Sequence, residues 1–198
     1  VSKGEATQQM IVARAAQLFN RQGYFGSSIE DLMNETGLKK GGIYNHFRSK
    51  DELALAAFDY AVEVIWQCVE EEMKDRPNQV DRLQGMLAAY QRLIEDPPIK
   101  GGCPVLNTAV ESDDTHPALR ERARGALTRW RTWIQRRVAR GIEAGEVRPE
   151  VDGDLLATLL ISMIEGAIMM SKTYDDPVHI RRAVQYLSDY LEREVRAR

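Results

Sequence analysis

The stretch that most constrains this chain is residues 37–47, GLKKGGIYNHF, with the segment 29–35 just before it. Ile29, Leu32 and Met33 fall at i, i+3 and i+4, which gives a short helix one apolar face that must be covered. Gly37 stands where a helix end calls for φ > 0, and Leu38 follows as the apolar plug of a turn. The next residues predict a second short helix carrying Lys39, Lys40, Gly41, Gly42, Tyr44, Asn45 and His46, with Ile43 and Phe47 as its buried stripe. Two short helices joined by a tight glycine turn, the second basic and polar outside, predict a helix-turn-helix. In that motif the second helix enters the DNA major groove while the first crosses the backbone and braces it.

The run 27–53, SSIEDLMNETGLKKGGIYNHFRSKDEL, resembles the DNA-binding segment of the TetR/AcrR family of one-component transcriptional regulators. The agreement lies at Gly37, Leu38, Gly41, Ile43, Tyr44, His46, Phe47, Lys50 and Glu52. The departure is Lys39, where the family usually has a serine that caps the recognition helix. A lysine there loses the cap and opposes the helix dipole, at a cost of about 1 kcal/mol, which pairing with phosphates would offset. The resemblance implies an all-α protein: a three-helix DNA-binding head over residues 1–50 and a six-helix ligand-binding and dimerisation body over residues 51–198. It also implies a homodimer through the last two helices, a pseudo-palindromic double-stranded operator, and repression relieved by a small molecule. Tyr44, His46, Lys50 and one of Ser27 or Ser28 are the phosphate contacts it suggests. The outward side of the second helix leaves Lys40, Gly41, Gly42, Tyr44 and Asn45 for the bases. A DNA-binding protein without an effector, constitutive or architectural, is the alternative.

Charge agrees with a head and a body. The chain has net charge −3, but residues 1–50 hold seven Lys/Arg against four Asp/Glu, a net of +3, and the remainder carries −6. A basic head can approach phosphates while an acidic body stays off them. Two cysteines, Cys68 and Cys103, lack CxxC spacing and cannot build a disulfide framework. The apolar run 155–170 is broken by Ser162, Glu165 and Gly166 and is read as too short and too polar to span a bilayer. A reducing cytoplasm is the expected compartment.

Along the chain, residues 1–6 are expected to fray. Ile11, Ala15, Leu18 and Phe19 predict a first helix ending at Gly23. Ser27 and Ser28 each precede an acid by three residues, so either can cap the second helix, leaving the other to meet a phosphate. Ser49 with Glu52 opens a fourth helix that runs to about Lys74 and links head and body. A fifth spans 79–94, a short helix and acidic loop follow from Cys103, and a seventh spans 117–144. Its arginines are read as a solvated face paired with Glu121 and other acids, against a second nucleic-acid surface. Helix eight, from Asp152 or Asp154, is apolar nearly all round and needs cover on both sides. Helix nine follows over 177–194.

No enzyme is expected. The Gly41-Gly42 and Gly101-Gly102 pairs have neither a phosphate-loop context nor a preceding strand. Asp113, Asp114 and His116 lack the spacing of a metal site and read as caps, so no metal or cofactor is expected. Cys103 reads as a small buried residue or a thiol sensor. Glu165 is either satisfied within the core or across a dimer, or it faces a ligand cavity. A cavity between helices four, five, seven and eight would be lined by Trp66, Met86, Tyr90, Trp130 and Met163, with Cys103 and Glu165 as further ligand-binding candidates. Such a lining predicts an apolar, aromatic or acyl ligand with Glu165 or Tyr90 as polar anchor, and the charge of Glu165 would favour a cation.

Overall fold

A computed structural model describes residues 2–197, and among these there are nine α-helices and no strand beyond an isolated bridge between Val147 and Arg196. The helices are α1 (Lys3–Gln22), α2 (Ile29–Thr36), α3 (Lys40–Tyr44), α4 (Lys50–Met73), α5 (Gln79–Glu95), α6 (Pro104–Ser112), α7 (Pro117–Glu143), α8 (Gly153–Tyr174) and α9 (Val178–Tyr190). The all-α expectation holds. Packing divides the chain into two compact units, Val1–Val64 with Ile99–Ala126, and Ile65–Pro98 with Leu127–Arg198. Helices α4 and α7 therefore run through both units, and α6 belongs with the helix-turn-helix.

The first unit is built on α1, whose start differs from expectation. The described residues before Thr7 are not frayed: Ser2 accepts from the Glu5 N–H while Glu5 Oε2 accepts from Ser2 N at 2.6 Å. This reciprocal cap satisfies two orphan donors. Ile11, Ala15 and Leu18 then meet Leu32, Ile43, Phe47, Leu53, Ala57 and Ala61 in one core, with Ile99 added from later in the chain. At the start of α7, His116 Nδ1 accepts from Leu119 N at 3.2 Å, so the histidine caps that helix as expected.

The second unit packs α8 and α9 against each other and both against α5. Asp152 caps α8 through the N–H groups of Asp154 and Leu155. At 22 residues α8 is long and apolar enough, by length and composition alone, to cross a bilayer, a test that a buried core helix passes equally. Its Leu156, Leu160, Ile164 and Ile168 edge is nonetheless core, while Leu155, Leu159, Met169 and Met170 lie exposed. On α9, Ile180, Val184 and Leu187 face inward and Tyr186 outward. The chain then widens into a π turn, Leu191–Val195, closed by Arg196 N donating to Leu191 O at 2.9 Å, while Val195 O accepts from Arg148 N and Ala197 N donates to Glu146 O.

The α7 arginines are mostly engaged. Arg122 pairs with Asp59 at 2.8 Å, Arg124 with Glu121, and Arg131 with Asp154. Arg129 lies over the Trp66 ring and Arg137 over Trp133, at 4.8 and 5.1 Å. The three ion pairs are the paired, solvated face expected of these arginines, and the two ring contacts depart from it.

Candidate nucleic-acid interface

Helix α2 begins at Ser28, whose hydroxyl accepts from Asp31 N at 3.1 Å while its N–H reaches Asp31 Oδ2 at 2.7 Å. The Ser28 hydroxyl, then its N–H, holds the Asp31 carboxyl below the usual carboxylate range. Ser27 is buried, with its Oγ donating to Gly23 O at 2.6 Å. Of the two serines, only Ser28 presents its side chain at the surface. Gly37 ends α2 with φ 71°, a left-handed conformation that a side chain resists.

Helix α3 is one turn and a little more. Lys39 is its N-cap and makes no side-chain cap bond, as its charge predicts. Ile43 and Phe47 plug it into the core of the first unit. Lys39, Lys40, Gly41 and Asn45 are exposed, and Gly42, Tyr44 and His46 are half-buried. The Lys40 ammonium stands 5.9 Å from the Tyr44 ring centre. The structure thus gathers Lys39, Lys40, Gly41, Gly42, Tyr44, Asn45 and His46 in one short element and its flanks, with Ser28 at the start of α2. Arg48, exposed between α3 and α4, adds a further cation whose charge and place are legible in the sequence.

Lys50 opens α4 and is partly inside. Its Nζ donates to the Tyr24 carbonyl and lies 4.2 Å from the Tyr24 ring centre. Burial pushes its ammonium pKa down, and the Glu111, Asp51 and Asp31 carboxylates partly restore it. Burial, then the bond to Asp51, pushes the Tyr24 hydroxyl up to about 12. At the α4 start, Ser49 Oγ accepts from Glu52 N, but the Glu52 carboxylate takes Arg48 N instead of completing the capping box.

The ligand candidates divide. Tyr90 and Trp130 stack at 4.6 Å and 17°, and Trp130 Nε1 donates to Met86 Sδ at 3.2 Å. Trp66 packs edge-on to Trp133 at 5.9 Å and gives its Nε1–H to Glu70. Glu165 is buried and Met163 half-buried on α8. Cys103 is buried as the N-cap of α6 and belongs to the first unit, whereas the other six candidates belong to the second. Among the described residues no group of His, Cys, Asp and Glu could hold a metal ion.

Known proteins share this arrangement over the whole chain. Residues 11–57 match the family described as "Bacterial regulatory proteins, tetR family", and residues 79–187 match "Tetracyclin repressor-like, C-terminal domain". A TetR transcriptional regulator from Chloroflexus aurantiacus is 45% identical, with a TM-score of 0.96 and 100% of both chains covered. The HTH-type transcriptional repressor DhaR of a Mycobacterium species is 28% identical over 83% of this chain and 82% of its own. A regulator from Saccharomonospora viridis, solved in complex with choline, is 25% identical with a TM-score of 0.83, covering 98% and 100%. The chain belongs to the TetR family of DNA-binding transcriptional regulators.

Proposed function

We propose that the protein is a homodimeric repressor that a small molecule releases from a pseudo-palindromic operator. The observation that carries the reading is α3. Its apolar residues are spent on the core, and its exposed residues are two lysines, a glycine and an asparagine able to reach DNA. Lys40, Tyr44 and Asn45 read bases, because lysine suits guanine and asparagine suits adenine in the major groove. Ser28, Lys39, His46 and Arg48 hold phosphates. Lys50 joins them through the donors its ammonium has left beyond the one given to the Tyr24 carbonyl. Ser27 is withdrawn from the set by its burial.

Pairing of α8 and α9 with their copies about a two-fold axis would cover Leu155, Leu159, Met169, Met170 and Tyr186. Two recognition helices would then meet successive major-groove faces about 34–36 Å apart, or a multiple of it. Such a protein works where the chromosome is, in the cytoplasm.

The effector reading rests on Trp66, Met86, Tyr90, Trp130, Met163 and Glu165. Aromatic faces with a buried carboxylate suit an organic cation, and the Saccharomonospora viridis relative was solved with choline. A ligand acts only if it binds the two head arrangements differently. One observation favours the constitutive alternative: Met86, Tyr90 and Trp130 already fill the space between them. The test is selection of duplexes from random DNA by the full-length protein, followed by titration of quaternary amines and aromatic cations against the bound complex. Enrichment of a two-fold-symmetric site that such a cation releases is expected. No enriched sequence would refute the DNA reading, and an enriched site that no cation releases would favour the constitutive one.

A further inference from the structure

The recognition unit is not finished where the N-terminal family match ends. After α1 the backbone breaks at Gly23, with φ 82° and ψ 163°. The N–H groups of Tyr24 and Phe25 then point out of the helix with no carbonyl of α1 to take them. Both are taken by one side chain from more than eighty residues later: Glu111 on α6. Tyr24 N donates to Oε2 and Phe25 N to Oε1, each at 2.9 Å. The fit is close: a Cβ at position 23, which its φ of 82° already disfavours, would lie 2.5 Å from Glu111 Oε1, and the carboxylate would have to shift. A carboxylate straddling two amide N–H groups makes the strong, charge-assisted kind of hydrogen bond.

The turn so held is the one from which α2 starts. Ser27 Oγ returns to Gly23 O across it, and Ser28 caps α2 one residue on. The same turn carries the Tyr24 carbonyl that holds Lys50, whose ammonium feels Glu111 as its strongest counter-charge. Beside it, Asn107 Nδ2 donates to Asn20 O at 3.2 Å and to Asn20 Oδ1 at 3.0 Å, tying α6 to α1 a second time. His116 lies edge-on to Tyr24 at 5.0 Å. A small cavity of 30 Å³, with room for little more than a water, lies under these residues between α1, α4, α6 and α7.

We infer that Glu111 is a positioning residue for DNA recognition: by gripping the Tyr24 and Phe25 amides it sets the start of α2, and through α2 the aim of α3. It touches no DNA itself. Its loss leaves two amides without their acceptor and lets the α2–α3 pair swing. Swinging penalises operator binding, which needs Lys40, Tyr44 and Asn45 in register, far more than contact with phosphates of any sequence. This inference rests on the reading of α3 as the base-reading element, and the experiment separates the two.

The experiment uses the full-length protein with Glu111→Gln and Glu111→Ala. Glutamine keeps the volume but its amide oxygen accepts only one of the two N–H groups and its NH2 opposes the other. Hydrogen exchange at the Tyr24 and Phe25 amides, measured without DNA, should quicken at least tenfold in both variants. Affinity for the selected operator should fall at least tenfold with alanine and by an intermediate factor with glutamine, while affinity for a scrambled duplex stays within twofold. Unchanged exchange at those amides in Glu111→Gln would overturn the inference. So would operator binding within twofold of wild type, or equal losses on operator and scrambled DNA. If the alanine variant does not fold, the glutamine variant decides alone. Failure of the base-reading proposal would look different: faster exchange in the variants, with no sequence preferred even by wild type.

Discussion

The first of the two glycines in α3 offers a substitution whose effects on stability and on DNA binding have opposite signs. Gly41 is exposed, its backbone lies outside the left-handed region, and a Cβ built on it meets no atom within 4 Å. Alanine therefore fits the free protein. In a helix it is favoured over glycine by about 1 kcal/mol, which in a chain of this size raises Tm by about 2–4 °C. If Gly41 served only to leave α3 loose, Gly41→Ala would pre-order the helix and tighten operator binding, by up to about fivefold. If position 41 is instead pressed against DNA, the added methyl meets a surface that cannot retreat. Overpacking of that kind costs about 1–3 kcal/mol, or about 5- to 150-fold in affinity. The expected result is a higher Tm together with weaker operator binding. Thermal unfolding and fluorescence anisotropy at one fixed salt concentration measure the two. Operator affinity equal to or above that of wild type would refute the close approach.

The remaining expectations are briefer. Leu159→Arg, on the exposed edge of α8, should give a folded monomer in sedimentation that loses operator binding, whereas Leu187→Arg should unfold the chain because Leu187 is buried within its own subunit; a dimeric Leu159→Arg would move the interface elsewhere. Ser28→Ala should destabilise by about 1 kcal/mol. Asp31 has a lowered folded-state pKa, so its stabilisation is fully present above the ordinary aspartate pKa and is lost as pH falls through the lowered one. Ser28→Ala should therefore flatten that acid limb in denaturant titrations across pH, and an unchanged limb would exclude the Ser28–Asp31 pair as its source. Glu165→Gln and Trp130→Phe should each weaken release of DNA by a cationic effector at least tenfold, read by anisotropy, and a response that survives both would place the effector elsewhere.

Much of the head was legible because its determinants are local. Leu32, Met33, Gly37, Ile43 and Phe47 sit within one short window, and each does what its spacing requires. Ser2 shows a local signal passed over: serine with glutamate three residues on is the pattern that opens α1. The choice between Ser27 and Ser28 was not local in the same way. Both had an acid at the right spacing, and the outcome turned on Ser27 reaching back to Gly23 across a turn whose shape Glu111 helps to set. Glu111 itself read as the end of a short helix before an acidic loop. No periodicity in 103–116 announces that its partner lies at residues 24 and 25.

The body shows the same limit in a different form. Met86, Tyr90 and Trp130 are expected to line a cavity, and all three are buried. Whether inward-facing rings enclose a space or close on one another depends on distances that spacing does not encode, and here Tyr90 and Trp130 stack. An aromatic pair is worth about 0.5–1.5 kcal/mol beyond its burial, so parting it is a modest cost that a ligand can repay. Repayment is fullest from a ligand that presents to each ring what the other ring presented, a flat or cationic face, with its charge within reach of a carboxylate. An acyl chain would restore the apolar burial but not the electrostatic part of the contact. Of the ligand classes compatible with the sequence, the stacked geometry therefore favours the cationic and aromatic ones over the acyl.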